Sequence, residues 1–222
     1  LKTLSETYQS ASQNSNFMIV TGDLMPKYDQ GQFTALSQLH LQTETAVPVL
    51  FNPGNQDLIK EKKDIPIASY FFTNEEFFLF INPAIDGGIG EGQQAAILNQ
   101  ILDLEKMPNI KTVFVISHQA NWIGYDAVLQ EMSELSVSRS PQPKDRFMLQ
   151  QVLPRLEALT DKQVYVISGD IASSANITQF AAVLPNSNMT FVSSGVFNTT
   201  IDTTISFTKR DSSWSYEFIR SH

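Results

Sequence analysis

Apolar residues along the chain fall into short continuous runs, and the stretches between them repeat at helical spacing. Leu1, Leu4, Tyr8 and Ala11 predict a helix over 1–13. "FMIVT" (17–21) then reads as a buried strand leading into Gly22-Asp23. Phe33, Leu36, Leu39 and Leu41 predict a second helix over 30–43, followed by the strand of "AVPVLFNPGNQD" (46–57). "ASYFFTNEEFFLFINPA" (68–84) reads as a hairpin whose strands are joined by Thr-Asn-Glu-Glu. "EGQQAAILNQILDLEKM" (91–107) is the strongest helical pattern, with Ala95, Leu98, Ile101, Leu102 and Glu105 in register and Pro108 as its stop.

"KTVFVISHQ" (111–119) and "QVYVISGDIA" (163–172) are continuous apolar strands ending in polar loops. Between them, 136–146 reads as a connection, and "RFMLQQVLPRLEAL" (146–159) as a helix kinked or broken at Pro154. From Met189 onward the sequence is β-rich with alternating stretches, which predicts antiparallel strands closing the chain. Continuous apolar strands alternating with helices imply strands covered on both faces. Neither an internal repeat nor a linker composition divides the 222 residues. One domain over 1–222 is therefore expected, an α/β sandwich with central mixed β-sheet flanked by helices.

Four of these strands end alike. "FMIVT" runs into Asp23, "VPVLF" into Asn55, Gln56 and Asp57, "TVFVIS" into His118, and "VYVIS" into Asp170. Ligands in open α/β sheets sit at the carboxyl ends of the strands. If the strands are parallel neighbours, Asp23, Asn55, His118 and Asp170 meet in one crevice. Oxygen donors and one imidazole suit a hard or borderline cation such as Mg²⁺, Mn²⁺ or Fe²⁺. Each end also reads as an ordinary turn, and His118 as a hydrogen-bonded structural histidine. His40 and His222 read as surface residues.

Composition narrows the field. The net charge of −8 offers no basic footprint for a nucleic acid, and "IKEKKD" (59–64) reads as a solvated face. Cysteine is absent, which excludes disulfides and thiolate chemistry. No apolar run approaches the ~18 residues needed to cross a bilayer, so no transmembrane segment is expected. Abundant Asn, Gln, Ser and Thr with only 17% charged residues lean towards an exported protein, periplasmic or secreted. Asn176, Asn188 and Asn198 head N-x-S/T sequons of the kind that chance supplies in such a chain.

The order of the motifs, Gly22-Asp23, "PGNQD" (53–57), Ser117-His118 and Ser168-Gly169-Asp170, resembles the calcineurin-like metallophosphoesterase superfamily over roughly residues 15–200. That family carries D-x-H, GD, GNH with an acid, a lone His, and GH-x-H on loops after strands. The "EGQQAAILNQIL" helix and the "FVSSGV" segment resemble family elements at the same points. The resemblance implies a binuclear ancestry. Asp23 matches the bridging aspartate, Asn55 and His118 match ligands of the second metal, and Asp170 stands where that metal's next ligand is a histidine. Ala172 replaces a ligand of the first metal, and Gln56 replaces the histidine that protonates the reacting phosphate. The D-x-H strand is expected upstream of Leu1.

The losses concentrate on one metal site and leave the other with four competent residue types. The resemblance thus implies a degenerate member of the fold, a weakly catalytic or non-catalytic binding or structural module. It would hold one divalent ion (Mn, Mg or Fe) or none. Its partner would be a phosphate-containing small molecule or a protein. The alternative is a metal-dependent phosphoester hydrolase, a phosphatase or phosphodiesterase with an altered ligand set. An unrelated α/β protein with coincidental turns is the third reading.

Overall fold

The structure, a computed structural model, describes residues 15–21, 47–52, 54, 68–81, 89, 91–129, 146–169, 179–195 and 203–220. At its centre lie the strands whose sequences are apolar without interruption. β4 (Glu76–Ile81) and β5 (Thr112–Ser117) are buried at every residue, and β6 (Gln163–Ser168) at every residue but the first. Burial on both faces makes such runs stable only inside a layered structure. β4, β5, β6 and β8 (Met189–Ser194) pair in parallel. β3 (Ala68–Phe72) and β7 (Gln179–Val183) add antiparallel edges, giving a mixed six-stranded sheet in the order β3-β4-β5-β6-β8-β7.

Side chains alternate across this sheet. Val113, Val115, Val164 and Val166 face a core shared with Ile97, Ile101 and Leu104 of helix α1 (Glu91–Leu104) and with Val152, Leu153 and Leu156 of a second helical segment. Phe78, Phe114 and Tyr165 face the other way, onto a second layer of strands. That layer comprises a parallel pair, β1 (Met18–Val20) with β2 (Val49–Phe51), and a hairpin, β9 (Thr203–Arg210) with β10 (Ser213–Arg220).

Register drives the packing on this face. Phe71, Phe78, Phe114 and Tyr165 are successive cross-strand partners. Their rings stack at centroid separations of 4.5, 4.8 and 5.3 Å. Phe207 and Trp214 meet Phe114 edge-on from the second layer, as Phe17 meets Phe78. Stacked rings within a sheet and edge contacts between sheets are the preferred arrangements of aromatic quadrupoles.

The α/β class with a central mixed sheet agrees with the sequence reading, as does the hairpin at 68–81, although its turn is one residue shorter and Glu76 opens β4. Several expectations are corrected. Helix α1 buries Gln93, Ile97, Ile101 and Leu104, while Leu102 is 44% exposed. The expected face, through Ala95 and Leu102, was rotated because it passed over Ile97. Helix α1 ends at Leu104, ahead of Pro108, as Lys106 and Met107 donate in tight turns to Asp103 O and Leu104 O.

Pro154 does not break the second helix. It sits in the first turn of α2 (Leu153–Glu157), directly after a π-helical stretch, Met148–Val152. The Leu153 N–H reaches back to Met148 O. One widened turn accommodates a residue that has no N–H of its own to donate. At the end of the chain, β8 is parallel to β6 on one side and antiparallel to β7 on the other, and β9 and β10 form the expected antiparallel finish. β7 had no counterpart in the sequence reading, because "QFAAV" is a short edge strand with a half-exposed pattern. β1 is only half-buried and lies outside the central sheet.

The sequon at Asn188 has a structural use. Its Nδ2 lies within hydrogen-bonding distance of the carbonyls of Leu156, Leu159 and Lys162, at 3.3, 2.8 and 3.0 Å. No helix among the described residues is long and apolar enough to cross a membrane. The helices expected over 1–13 and 30–43, the run at 59–64, His40, His222, Asn176 and Asn198 all lie outside the described residues.

Candidate functional site

The parallel strands β4, β5, β6 and β8 all run the same way, so their last residues share one end of the sheet, here termed the carboxyl pole. β1 and β2 end at this pole as well. Hydrogen bonds of two described residues, His118 and Asn52, cross between the layers there. From the central sheet, Nδ1 of His118 lies 2.7 Å from Thr21 O, just past β1. From the second layer, Nδ2 of Asn52, just past β2, donates to Ile81 O at 3.4 Å. Each layer therefore sends a side chain to the other's backbone.

Both residues also continue their strands. Asn52 N–H donates to Val20 O at 2.8 Å, and Gly169 N–H to His118 O at 3.0 Å. The four strand ends that the sequence reading singled out thus come together at one pole, but as two pairs in stacked layers rather than as four neighbours in one sheet. Gly169 is where the approach is closest. A Cβ there would lie 1.9 Å from Thr21 Oγ1 and 2.8 Å from Thr21 Cβ, so only glycine leaves room for the end of β1.

The geometry fixes the proton on His118. A backbone carbonyl can only accept, so Nδ1 carries the hydrogen that Thr21 O receives. In the neutral ring, Nε2 then holds a lone pair. A backbone carbonyl on the far nitrogen is a recurrent partner of metal-binding histidines, since it sets both tautomer and ring orientation. His118 is 2% exposed, which keeps the ring in one place.

The chain beyond His118 is held firmly. Ser117 Oγ donates to Gln119 O at 2.7 Å. Trp122 Nε1 donates to Ser168 Oγ at 3.3 Å while its ring stacks on Phe180. Ser168 Oγ and Ser193 Oγ are 2.8 Å apart, and Ser193 Oγ also donates to Ser168 O. These three serines are cross-strand partners at the ends of β5, β6 and β8, on the helix-covered face. They tie the ends together with small neutral groups. Further along, Tyr125 OH donates to Glu157 at 2.6 Å. Burial, reinforced by the Glu157 carboxylate, raises the phenol well above its ordinary range.

Of the residues expected to bind a metal, His118 is the one described. Asp23, Asn55 and Asp170 lie outside the described residues, as do Gln56 and Ala172. Among the described residues, no three His, Asp or Glu side chains gather into a cluster. Asn52 is a residue that sequence reasoning missed. It lies in "NPGN" (52–55), where its type is explained by the turn alone, and its 1% exposure could not be read from the letters. Thr21 was missed as well, because its contribution is a main-chain carbonyl. No protein-family model matches the chain, and no curated protein matches it.

Proposed function

We propose that this protein is a metallophosphoesterase-like α/β sandwich that has lost efficient catalysis and serves as a binding or structural module, with a single divalent ion held at the carboxyl pole. The observation that carries the reading is the His118–Thr21 contact, which sets the tautomer so that Nε2 is the ligand-type nitrogen of a buried ring beside the ends of β1 and β6. That nitrogen fits a borderline cation such as Mn²⁺ or Fe²⁺, and the oxygen donors of Asp23, Asn55 and Asp170 complete a suitable set. Mg²⁺ is served by the oxygens more than by the imidazole. When bound, the ion supplies positive charge that attracts phosphate oxygens. A phosphate-bearing small molecule or a protein partner presenting such a group is the natural occupant.

The non-catalytic half of the reading rests on Gln56 and Ala172. A primary amide donates a hydrogen bond but cannot deliver a proton near neutral pH. Loss of a general acid alone costs on the order of 10²–10⁴ in rate. Ala172 has no donor atom for a second ion, and without that ion a bridging water stays a poor nucleophile.

Elemental analysis of the purified protein, paired with a panel of aryl phosphates and phosphodiesters in added Mn²⁺, tests both halves. The expected result is at most one equivalent of divalent metal and negligible turnover. Robust metal-dependent hydrolysis that vanishes in Asp23→Ala would establish the hydrolase reading instead.

A further inference from the structure

We infer that Asn52 is a further cation-binding residue of the carboxyl pole, contributing its amide oxygen; the inference rests on the metal-binding half of the function proposed above. The side chain is 1% exposed. Ile81 O can only accept, so the atom facing it is Nδ2, and Oδ1 points elsewhere. Among the described residues, no donor lies within reach of Oδ1. Buried polar atoms are satisfied with few exceptions, and an orphaned acceptor keeps the full cost of its lost hydration. A partner from outside the chain relieves that cost.

The position says which kind of partner. Asn52 follows β2, and its backbone N–H pairs with β1 one residue before Thr21. Its side chain bonds to the end of β4, whose last residue is the cross-strand partner of Ser117, next to His118. The orphaned oxygen is thus at the same pole as the imidazole of His118, where an open α/β sheet takes its ligands. A neutral amide oxygen is an ordinary ligand for hard cations.

Asn188 at the other end of the sheet also has an amide oxygen with no partner. There, however, three carbonyls around Nδ2 account for the half-buried side chain. At Asn52 a single side-chain contact of 3.4 Å is what the described residues offer. Hydrogen bonding within the fold explains the one asparagine and not the other.

The test titrates MnCl₂ into the full chain by calorimetry and records the melting temperature of each metal-free variant. Asn52→Asp keeps the shape and adds a charge. It is expected to tighten Mn²⁺ binding by about tenfold, since charge count tunes such sites. Asn52→Leu removes the oxygen and is expected to weaken binding by about tenfold or more. His118→Ala serves as the control that abolishes binding. Affinity in Asn52→Asp equal to or weaker than wild type, with His118→Ala still abolishing uptake, overturns the role of Asn52 and leaves the metal site standing. A wild-type protein that takes up no Mn²⁺ overturns both. Should Asn52→Leu fail to fold, Asn52→Asp decides alone.

Discussion

At the amino pole, where β4, β5, β6 and β8 begin, the fold uses charge and uses it up. The Lys162 side chain is 1% exposed, and its ammonium reaches Met107 O and Ile110 O at 3.2 Å and Asp161 at 3.0 Å. Lys209 of β9 bridges Glu75 and Glu76 at 2.6 Å each, and Thr73 donates to the same Glu76 carboxylate. The carboxyl pole of the same sheet has serines, a glycine, a histidine and an asparagine, joined through main-chain carbonyls. One end is closed by cations whose donors are spent within the fold. The other is held in shape by hydrogen bonds among neutral groups. The same sheet is thus closed by charge at one end and by neutral groups at the other.

Mutations should separate the two ends. The largest effect is expected from Lys162→Met, which takes the Lys162 donor from the buried Ile110 carbonyl and one of two donors from Met107 O. A loss of about 2–3 kcal/mol, read from urea unfolding, follows if those bonds close the amino pole. Mn²⁺ affinity should not change. A variant as stable as wild type would erase the contrast between the poles.

Gly169→Ala comes next. The added methyl collides with Thr21, and overpacking of this kind costs about 1–3 kcal/mol. Thr21→Gly, which removes the nearest side-chain atoms, should restore part of the loss in the double variant. No recovery would mean that the clash is not what matters at this glycine.

His118→Gln sharpens the comparison from the other side. Loss of the hydrogen bond to Thr21 O should cost about 1 kcal/mol. Metal binding should fall far more than stability does. Equal damage to both would make His118 a structural residue only.

The smallest effect concerns pH. Burial alone would push the Glu76 carboxyl up, but the hydrogen bonds from Lys209 and Thr73 outweigh it and hold the group below its ordinary value of 4.5. The hydrogen bonds to Glu75 and Glu76 in turn raise Lys209 above 10.5. A depressed carboxyl stabilises the fold above its unfolded pKa, and that stability is lost as pH falls through the folded value. A raised ammonium stabilises below its unfolded pKa and loses that contribution as pH climbs through the folded one. Lys209→Met should therefore melt earlier than wild type between about pH 5 and 10, with the gap closing in acid as Glu76 protonates in both proteins. A gap that persists at pH 3 would place the effect in packing rather than charge.

The central strands were legible because "FFLFI", "TVFVIS" and "VYVIS" are apolar at every position, a pattern that only a strand covered on both faces tolerates. The shared pole of "TVFVIS" and "VYVIS" was legible for a related reason: polar residues crowd just beyond both runs. The stacking of the layers was not. Nothing in "FMIVT" distinguishes a strand of the central sheet from one that lies across it, since both bury apolar side chains. The buried face of α1 was missed because several apolar residues sit around its whole circumference, and only the sheet decides which of them turn inward. Asn52 and Lys162 were invisible for the opposite reason. A polar letter carries no sign of whether its atoms meet water or a carbonyl.

The amide of Asn188 ties together the turns that precede β6 and β8. In a host that attaches sugars to N-x-T sequons, that nitrogen faces a race. A glycan added to the nascent chain would take the atom that three carbonyls later need, and a chain that folds first would hide it from the transferase. Sugar at this position and a closed sheet end are mutually exclusive, so its occupancy in such a host would record which event came first.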